Sequence, residues 1–278
     1  MWKILKNKYK KGRKINRMEE YKLKEMQSEY WCNMDPESHL WLQRDVSPEK
    51  TSAIIQMMEQ MVETRGWKAS RGIAVQTSMC RLCGKYSETV SHLVAGCKTL
   101  AGREYLQRHN KALMVLAIAW GKENKLIEEK VKWYEEKWEN GHVVEAQSKK
   151  IKWDFQFKLR KSETARRPDL ILKEKVISII DMACPMEQNI KKKISSKLVK
   201  YRQLAFEIRE RRPGYIVNII PIVIGVCGGG ATYVAEQLKK LFKDEGTVKW
   251  VLTEMIKTVC MESESILRKV MSGLIQDI

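Results

Sequence analysis

The stretch RRPDLILKEKVISIIDMACP, Arg166 to Pro185, sets one aspartate ahead of an apolar run and a second at the end of the next. Leu170, Ile171 and Leu172, then Val176, Ile177, Ile179 and Ile180, predict two short buried strands joined at Lys173-Glu174-Lys175. Bare carboxylates beside such strands are costly to bury unless something pairs with them. Asp169 and Asp181 therefore need partners. On neighbouring strand ends they fit a metal-dependent nuclease arrangement, because Mg2+ takes one or two carboxylates plus water and phosphate oxygens. Such an ion polarises a phosphodiester and makes water nucleophilic, with a nearby lysine to stabilise charge on the phosphate. The plainer alternative is a capping aspartate and a strand-end aspartate, each paired with surface lysines.

Around this stretch the periodicity predicts an α/β unit. IKWDFQFKLR alternates Trp153, Phe155, Phe157 and Leu159 against Asp154, Gln156, Lys158 and Arg160, the pattern of a half-buried strand. In MEQNIKKKISSKLVKYRQLAFEIRERR, Ile190, Ile194, Leu198, Tyr201, Ala205 and Ile208 recur at helical steps. Pro213-Gly214 ends that helix, YIVNIIPIVIGV reads as a buried strand before a glycine turn, and two helices close the chain, about 231–242 and 247–271.

Upstream of residue 145 the pattern is helical. DVSPEKTSAIIQMMEQMVETRGW predicts a helix capped by Ser47, with Pro48 in its first turn and Ile54, Met58 and Met61 inward. A helix over about 100–120 is expected to bury Leu106, Leu113, Leu116 and Ile118, and KENKLIEEKVKWYEEKW a charged helix stopping at Asn140-Gly141. The fold class is thus α+β overall, a helical N-terminal half followed by an α/β domain.

Between positions 80 and 97 lie three cysteines and one of the chain's four histidines, spaced Cys80-x2-Cys83-x8-His92-x4-Cys97. Three thiolates and an imidazole in this close pairing are the ligand set of tetrahedral zinc, and four protein ligands make a closed, structural site. Free core cysteines are the plainer reading.

The 278 residues carry 52 Lys+Arg against 34 Asp+Glu, a net charge of +18, which favours a polyanionic partner, nucleic acid first. The seven cysteines form no disulfide framework and no secretory segment follows Met1, so an intracellular location is expected, nuclear or shared between nucleus and cytoplasm. No apolar stretch reaches the roughly 20 residues of a membrane span, so no membrane partner is expected. Residues 1–28, with KNKYKKGRK, read as a basic arm, either a solvated, partly helical segment or one for phosphate binding or nuclear import.

Four segments in order, ESHLWLQ…VSPEK, CRLCG…ETVSHLVAGC with its RHN, RRPDLIL…IIDMACP…KLVKYRQL, and IIPIVIGVCG, with ILRKV near the end, carry a resemblance. The chain resembles the C-terminal region of non-LTR (LINE-type) retrotransposon polyproteins that carry a restriction-enzyme-like endonuclease. That resemblance implies a CCHC zinc knuckle followed by a PD-(D/E)xK nuclease fold that nicks target DNA to prime reverse transcription. Its divisions would be a helical linker over 29–75, the knuckle and following helix over 76–122, the endonuclease over 123–245 and a C-terminal helix over 246–278.

Carried over, Cys80, Cys83, His92 and Cys97 would hold structural Zn2+, and Asp169 and Asp181 a catalytic Mg2+ or Mn2+. Arg166, Arg167 and Lys193 would contact phosphates of DNA, with the element's RNA a further partner. The general nuclease motif expects a lysine two residues after the second acid, and Ala183 stands there. In this retroelement group the lysine moves to the next helix, which puts Lys200, then Lys197, in the catalytic place. Arg108-His109-Asn110 either packs and caps its helix or also helps bind nucleic acid. No polymerase signature is present, so the reading is a nuclease module without reverse transcriptase. A non-catalytic nucleic-acid-binding remnant is the competing function, and a structural basic protein a weaker third.

Overall fold

The computed structural model describes residues 35–43, 46–159 and 165–275. The basic arm, Cys32 and Arg160 lie outside them. After a 3-10 turn at Pro36–Gln43, helix α1 spans Pro48–Met58, α2 Arg65–Ala69, α3 Val90–Ala95 and α4 Leu106–Glu123. Lys98–Leu100 and a π-helical turn at Ala101–Tyr105 lead into α4. Strands β1 (Val143–Ala146), β2 (Lys149–Trp153), β3 (Leu170–Lys173) and β4 (Val176–Ala183) follow, then α5 (Ile190–Arg211), β5 (Ile216–Val223), α6 (Ala231–Leu238) and α7 (Glu245–Met271).

The strands form one mixed sheet in chain order, antiparallel from β1 to β4 and parallel between β4 and β5. A parallel neighbour requires a crossover, and α5 is that crossover. Side-chain alternation then divides the sheet's contacts between two layers. Ile171, Ile177, Ile179 and Val217 pack under Tyr201, Leu204 and Ala205 of α5. Leu170, Leu172, Ile180, Met182, Ile220 and Ile222 belong to the larger core with α4, α6 and α7. The same core takes in Cys80, Val90, Leu93 and Cys97, so it runs without a break from the cysteine-rich segment to the sheet. No helix among the described residues is long and apolar enough to cross a membrane.

Ser47 caps α1 as its sequence predicts, accepting from the Lys50 amide at 3.3 Å, but Gln60 turns left-handed (φ 57°) and stops the helix, leaving Met61 43% exposed. Leu106 also faces solvent, and so does Leu198 of α5, whose inward place falls to Leu204. The charged helix expected after residue 122 does not form. Lys125 is left-handed (φ 57°), the amides of Leu126 and Ile127 return to the Gly121 carbonyl at 2.8 and 3.2 Å, and α4 ends. The chain then lays Ile127, Val131, Trp133 and Trp138 against the main core, an apolar demand that a solvated helix would have left unmet. Likewise the strand expected through Leu159 stops at Trp153. Asp154 takes the left-handed region (φ 45°), which aspartate tolerates, and only a single bridge, Phe157 to Arg166, continues the pairing.

The stop after α4 depends on Gly121. A Cβ there would lie 2.4 Å from Ile127 Cδ1. Gly121→Ala is expected to cost about 1–2 kcal/mol, a fall of roughly 2–8 °C in Tm for a chain of this size. Adding Ile127→Val, which removes the clashing methyl, should recover part of the loss in a thermal melt.

Candidate metal centre and carboxylate site

The cysteine-rich segment is built as a small hairpin followed by a helix. Cys80 N donates to Tyr86 O at 2.8 Å, Gly84 N to Cys80 O at 2.9 Å, and Gly84 takes φ 61°, so Cys80 and Cys83 face the same side of the turn. Thr89 caps α3 by accepting from His92 N at 3.1 Å, which sets His92 over that turn. Cys97 follows at once, its amide donating to His92 O at 2.8 Å. Beneath the hairpin the fully buried Glu88 accepts from the Arg65 and Arg81 amides at 3.0 and 2.9 Å and from the Arg81 guanidinium at 2.8 Å. Burial alone would raise its carboxyl, but these donors outweigh it and hold the group below the usual range.

The four ligand atoms of Cys80, Cys83, His92 and Cys97 lie within 4.8 Å of one another, an arrangement that can hold a metal ion such as zinc. Cys80 and Cys97 Sγ are 4.0 Å apart and Cys83 Sγ is 3.3 Å from His92 Nε2. Zinc–sulfur bonds of about 2.3 Å in a tetrahedron put sulfurs roughly 3.8 Å apart, so the cradle has the right size. Burial pushes the Cys80 thiol up to about 11 and pushes His92 down. A metal entering must therefore displace thiol protons, while the imidazole is already the neutral ligand it needs.

The second cluster gathers at one end of the sheet. Leu170 pairs with Ile180, which sets Asp169 and Asp181 beside each other on adjoining strands. Asp169 Oδ2 accepts from the Met182 amide at 2.6 Å and lies 3.0 Å from His109 Nε2, and Asp169 Oδ1 has no hydrogen bond among the described residues. Asp181 is 2% exposed. It receives Lys200 Nζ at 3.1 Å, and Lys197 Nζ and the Tyr201 hydroxyl are also bonded to it. The Tyr201 phenol sits between Asp181 and the Arg167 carbonyl, 2.8 Å from the latter. Helix periodicity explains the trio: positions 197, 200 and 201 share one face of α5.

The charges are strongly coupled. Burial pushes the Lys197 ammonium down to about 8, against the pull of Asp169, and it also lowers Lys200. Burial and the Asp169 charge raise Tyr201, so the phenol keeps its proton. Desolvation works against charge on both His109 and Asp169, but their mutual hydrogen bond wins, raising the imidazole and lowering the carboxyl. His109 Nδ1 is in turn 2.9 Å from Asn110 Oδ1.

The structure thus brings Asp169, Asp181, Lys197 and Lys200 together, and adds Tyr201 and His109. Tyr201 reads in the sequence as one more core position, and its place directly after Lys200 is the only hint of another role. Arg166 donates to Lys200 O at 3.0 Å, beside the cluster. Arg167 is held by Asp154, with Nε to Oδ1 2.5 Å and Nη2 to Oδ2 2.7 Å. Lys193 is exposed on the first turns of α5 and bonds to neither carboxylate. Arg108 corrects the expectation of nucleic-acid contact: it is 2% exposed, too deeply buried to reach a phosphate. Its guanidinium instead donates to Val94 O at 2.7 Å, Ser263 Oγ at 3.0 Å and Cys184 O at 3.4 Å, joining α3, α7 and the end of β4.

Asp169 and Asp181 are thus adjoining carboxylates, the first with an oxygen that has no hydrogen bond among the described residues and the second paired with two ammonium groups. No protein-family model matches the chain, and a search of curated proteins found no match.

Zinc analysis of protein purified without added metal should give about one equivalent per chain. Cys97→Ala should lose it, and chelation of the wild type should lower its Tm, since ligand-set binding energy is folding energy.

Proposed function

We propose that this chain is the zinc-module and nuclease region of a non-LTR retrotransposon polyprotein, and that it hydrolyses a phosphodiester of DNA at Asp169 and Asp181. The observation that carries the reading is the buried Asp181, held by Lys197, Lys200 and Tyr201 one strand from Asp169. A structural ion pair needs one lysine. Two lysines, a phenol and a second carboxylate in one rim are the parts of a phosphate-transfer site.

Asp169 and Asp181 would hold a divalent ion, which supplies Lewis-acid polarisation of the phosphodiester and activation of water. Lys200, bonded to Asp181 but nearly half exposed, is the lysine that would meet a phosphate oxygen. Lys197, mostly buried, keeps its ammonium beside the carboxylates and stabilises charge as it develops. Tyr201 fixes the Asp181 carboxylate, while His109 and the Met182 amide fix Asp169 through Oδ2. Zn2+ at Cys80, Cys83, His92 and Cys97 would be structural. DNA, and the element's RNA, are the partners this reading requires, and it places the protein in the nucleus for at least part of its life.

One observation favours a second reading, a nucleic-acid-binding remnant that no longer cuts. Asp181 is already neutralised by the chain's own lysines, and a closed ion pair of this kind competes with a metal.

Nicking of supercoiled plasmid in Mg2+ or Mn2+ decides between them. The nuclease reading expects relaxation by the wild type, lowered on the order of 100-fold by Asp169→Asn or Asp181→Asn, with DNA binding in EDTA retained. Binding without relaxation would sink it and leave the remnant.

The pH profile tests Lys197 separately. An ammonium with its pKa near 8 is present below that pH and lost above it, so nicking should fall as pH rises through about 8. Lys197→Arg, whose charge does not titrate, should remove that limb.

A further inference from the structure

On the side of the sheet covered by α5, four cations crowd a cleft of about 130 Å3: Lys150, Lys152, Lys173 and Arg212, above Phe157 and Ile171. The strand register brings them together, since Lys150 pairs with Lys173 and Lys152 with Ile171, and Arg212 follows the last turn of α5. Among the described residues one carboxylate serves the group. Glu145 pairs with Lys150, and among the described residues no acidic side chain bonds to Lys152, Lys173 or Arg212. Lys152 instead rests 3.9 Å over the Phe155 ring and Lys173 5.0 Å over that of Tyr215. Burial, then the charges of Lys150, Arg212 and Lys173, lower the Lys152 ammonium.

Like charges gathered in a partly desolvated cleft repel one another, and an anion placed among them turns the repulsion into attraction. The cleft's convergent N–H donors suit a compact, multiply charged oxyanion. Its position gives the anion a source. Lys173 pairs with Ile177, four residues before Asp181 on β4, so the cleft lies about 13 Å along the strand from the carboxylate site. Over that length one strand of B-DNA advances roughly four nucleotides.

We propose that this cleft is a second phosphate subsite, taking a backbone phosphate of nucleic acid a few nucleotides from the bond held at Asp169 and Asp181. It rests on the nucleic-acid reading above but not on cleavage. The test is equilibrium binding of a fluorescent duplex oligonucleotide by the full chain in EDTA, across a series of KCl concentrations. The double variant Lys152→Ala, Arg212→Ala should bind several-fold more weakly, with the slope of log K against log salt smaller by about 1. Its Tm should be unchanged or higher, because repulsion is relieved. Lys173→Gln, read the same way, covers the case in which the double variant misfolds.

An unchanged slope in folded variants overturns the subsite while the nuclease reading stands. An equal change in Lys249→Ala, an exposed lysine on α7, which packs on the other face of the sheet, reduces the effect to general charge and also overturns it. Two further arms separate the sources of phosphate. Loss of binding to vesicles of anionic phospholipid with DNA binding intact would assign the cleft to a membrane surface and overturn the proposal. So would stabilisation by inorganic phosphate lost in the variant without any change in DNA binding. Absence of plasmid nicking leaves the test intact, since it reads binding alone. Absence of any DNA binding by the wild type removes both readings together.

Discussion

A carboxylate inside a strand has to be neutralised, and Asp181 imposes that condition on everything around it. At 2% exposure it cannot draw on water, and an unpaired buried charge is costly enough to unfold a domain of ordinary stability. The parallel pairing of β4 with β5 supplies the answer, because it obliges a crossover helix to pass over the sheet. Lys197, Lys200 and Tyr201 come from one face of that helix, so the rotation of α5 about its own axis is set as much by this one acid as by Leu204 and Ala205 beneath it. Replacing such a group by a well-packed apolar residue is often neutral or better for stability.

A second constraint joins the two clusters. Arg108 and His109 are neighbours on α4, yet one turns into the protein and the other to the carboxylate rim. Arg108 bridges the helix that carries His92 to the end of β4 and to α7, while His109 orders Asp169. The cysteine-rich cradle and the carboxylate site are thus both tied to a single helix, and one continuous core runs from the cradle to the sheet.

The misread elements share a cause. Alternation across Trp153, Phe155, Phe157 and Leu159 is genuine, but Asp154 leaves the strand to pair with Arg167, and a local pattern carries no record of a partner thirteen positions away. The charged helix after residue 122 has good propensity, and propensity is weak against the burial of Trp133, Trp138 and Ile127. Met61, Leu106 and Leu198 fail in the same way: a helical stripe identifies a face, and the edge of that face is drawn by whatever packs against it.

The sequence by itself determined what local chemistry can determine. Close spacing and a tight turn put Cys80, Cys83, His92 and Cys97 within reach of one another, and apolar runs made β3, β4 and β5. Helical spacing put Lys197 and Lys200 on one face. Tertiary structure alone decided that this face lies on Asp181, that Tyr201 joins it, that His109 is the partner of Asp169, and that Lys150, Lys152, Lys173 and Arg212 converge. These contacts join residues far apart in the chain, and their strength comes from the low dielectric that exists only after the sheet and α5 have closed over them.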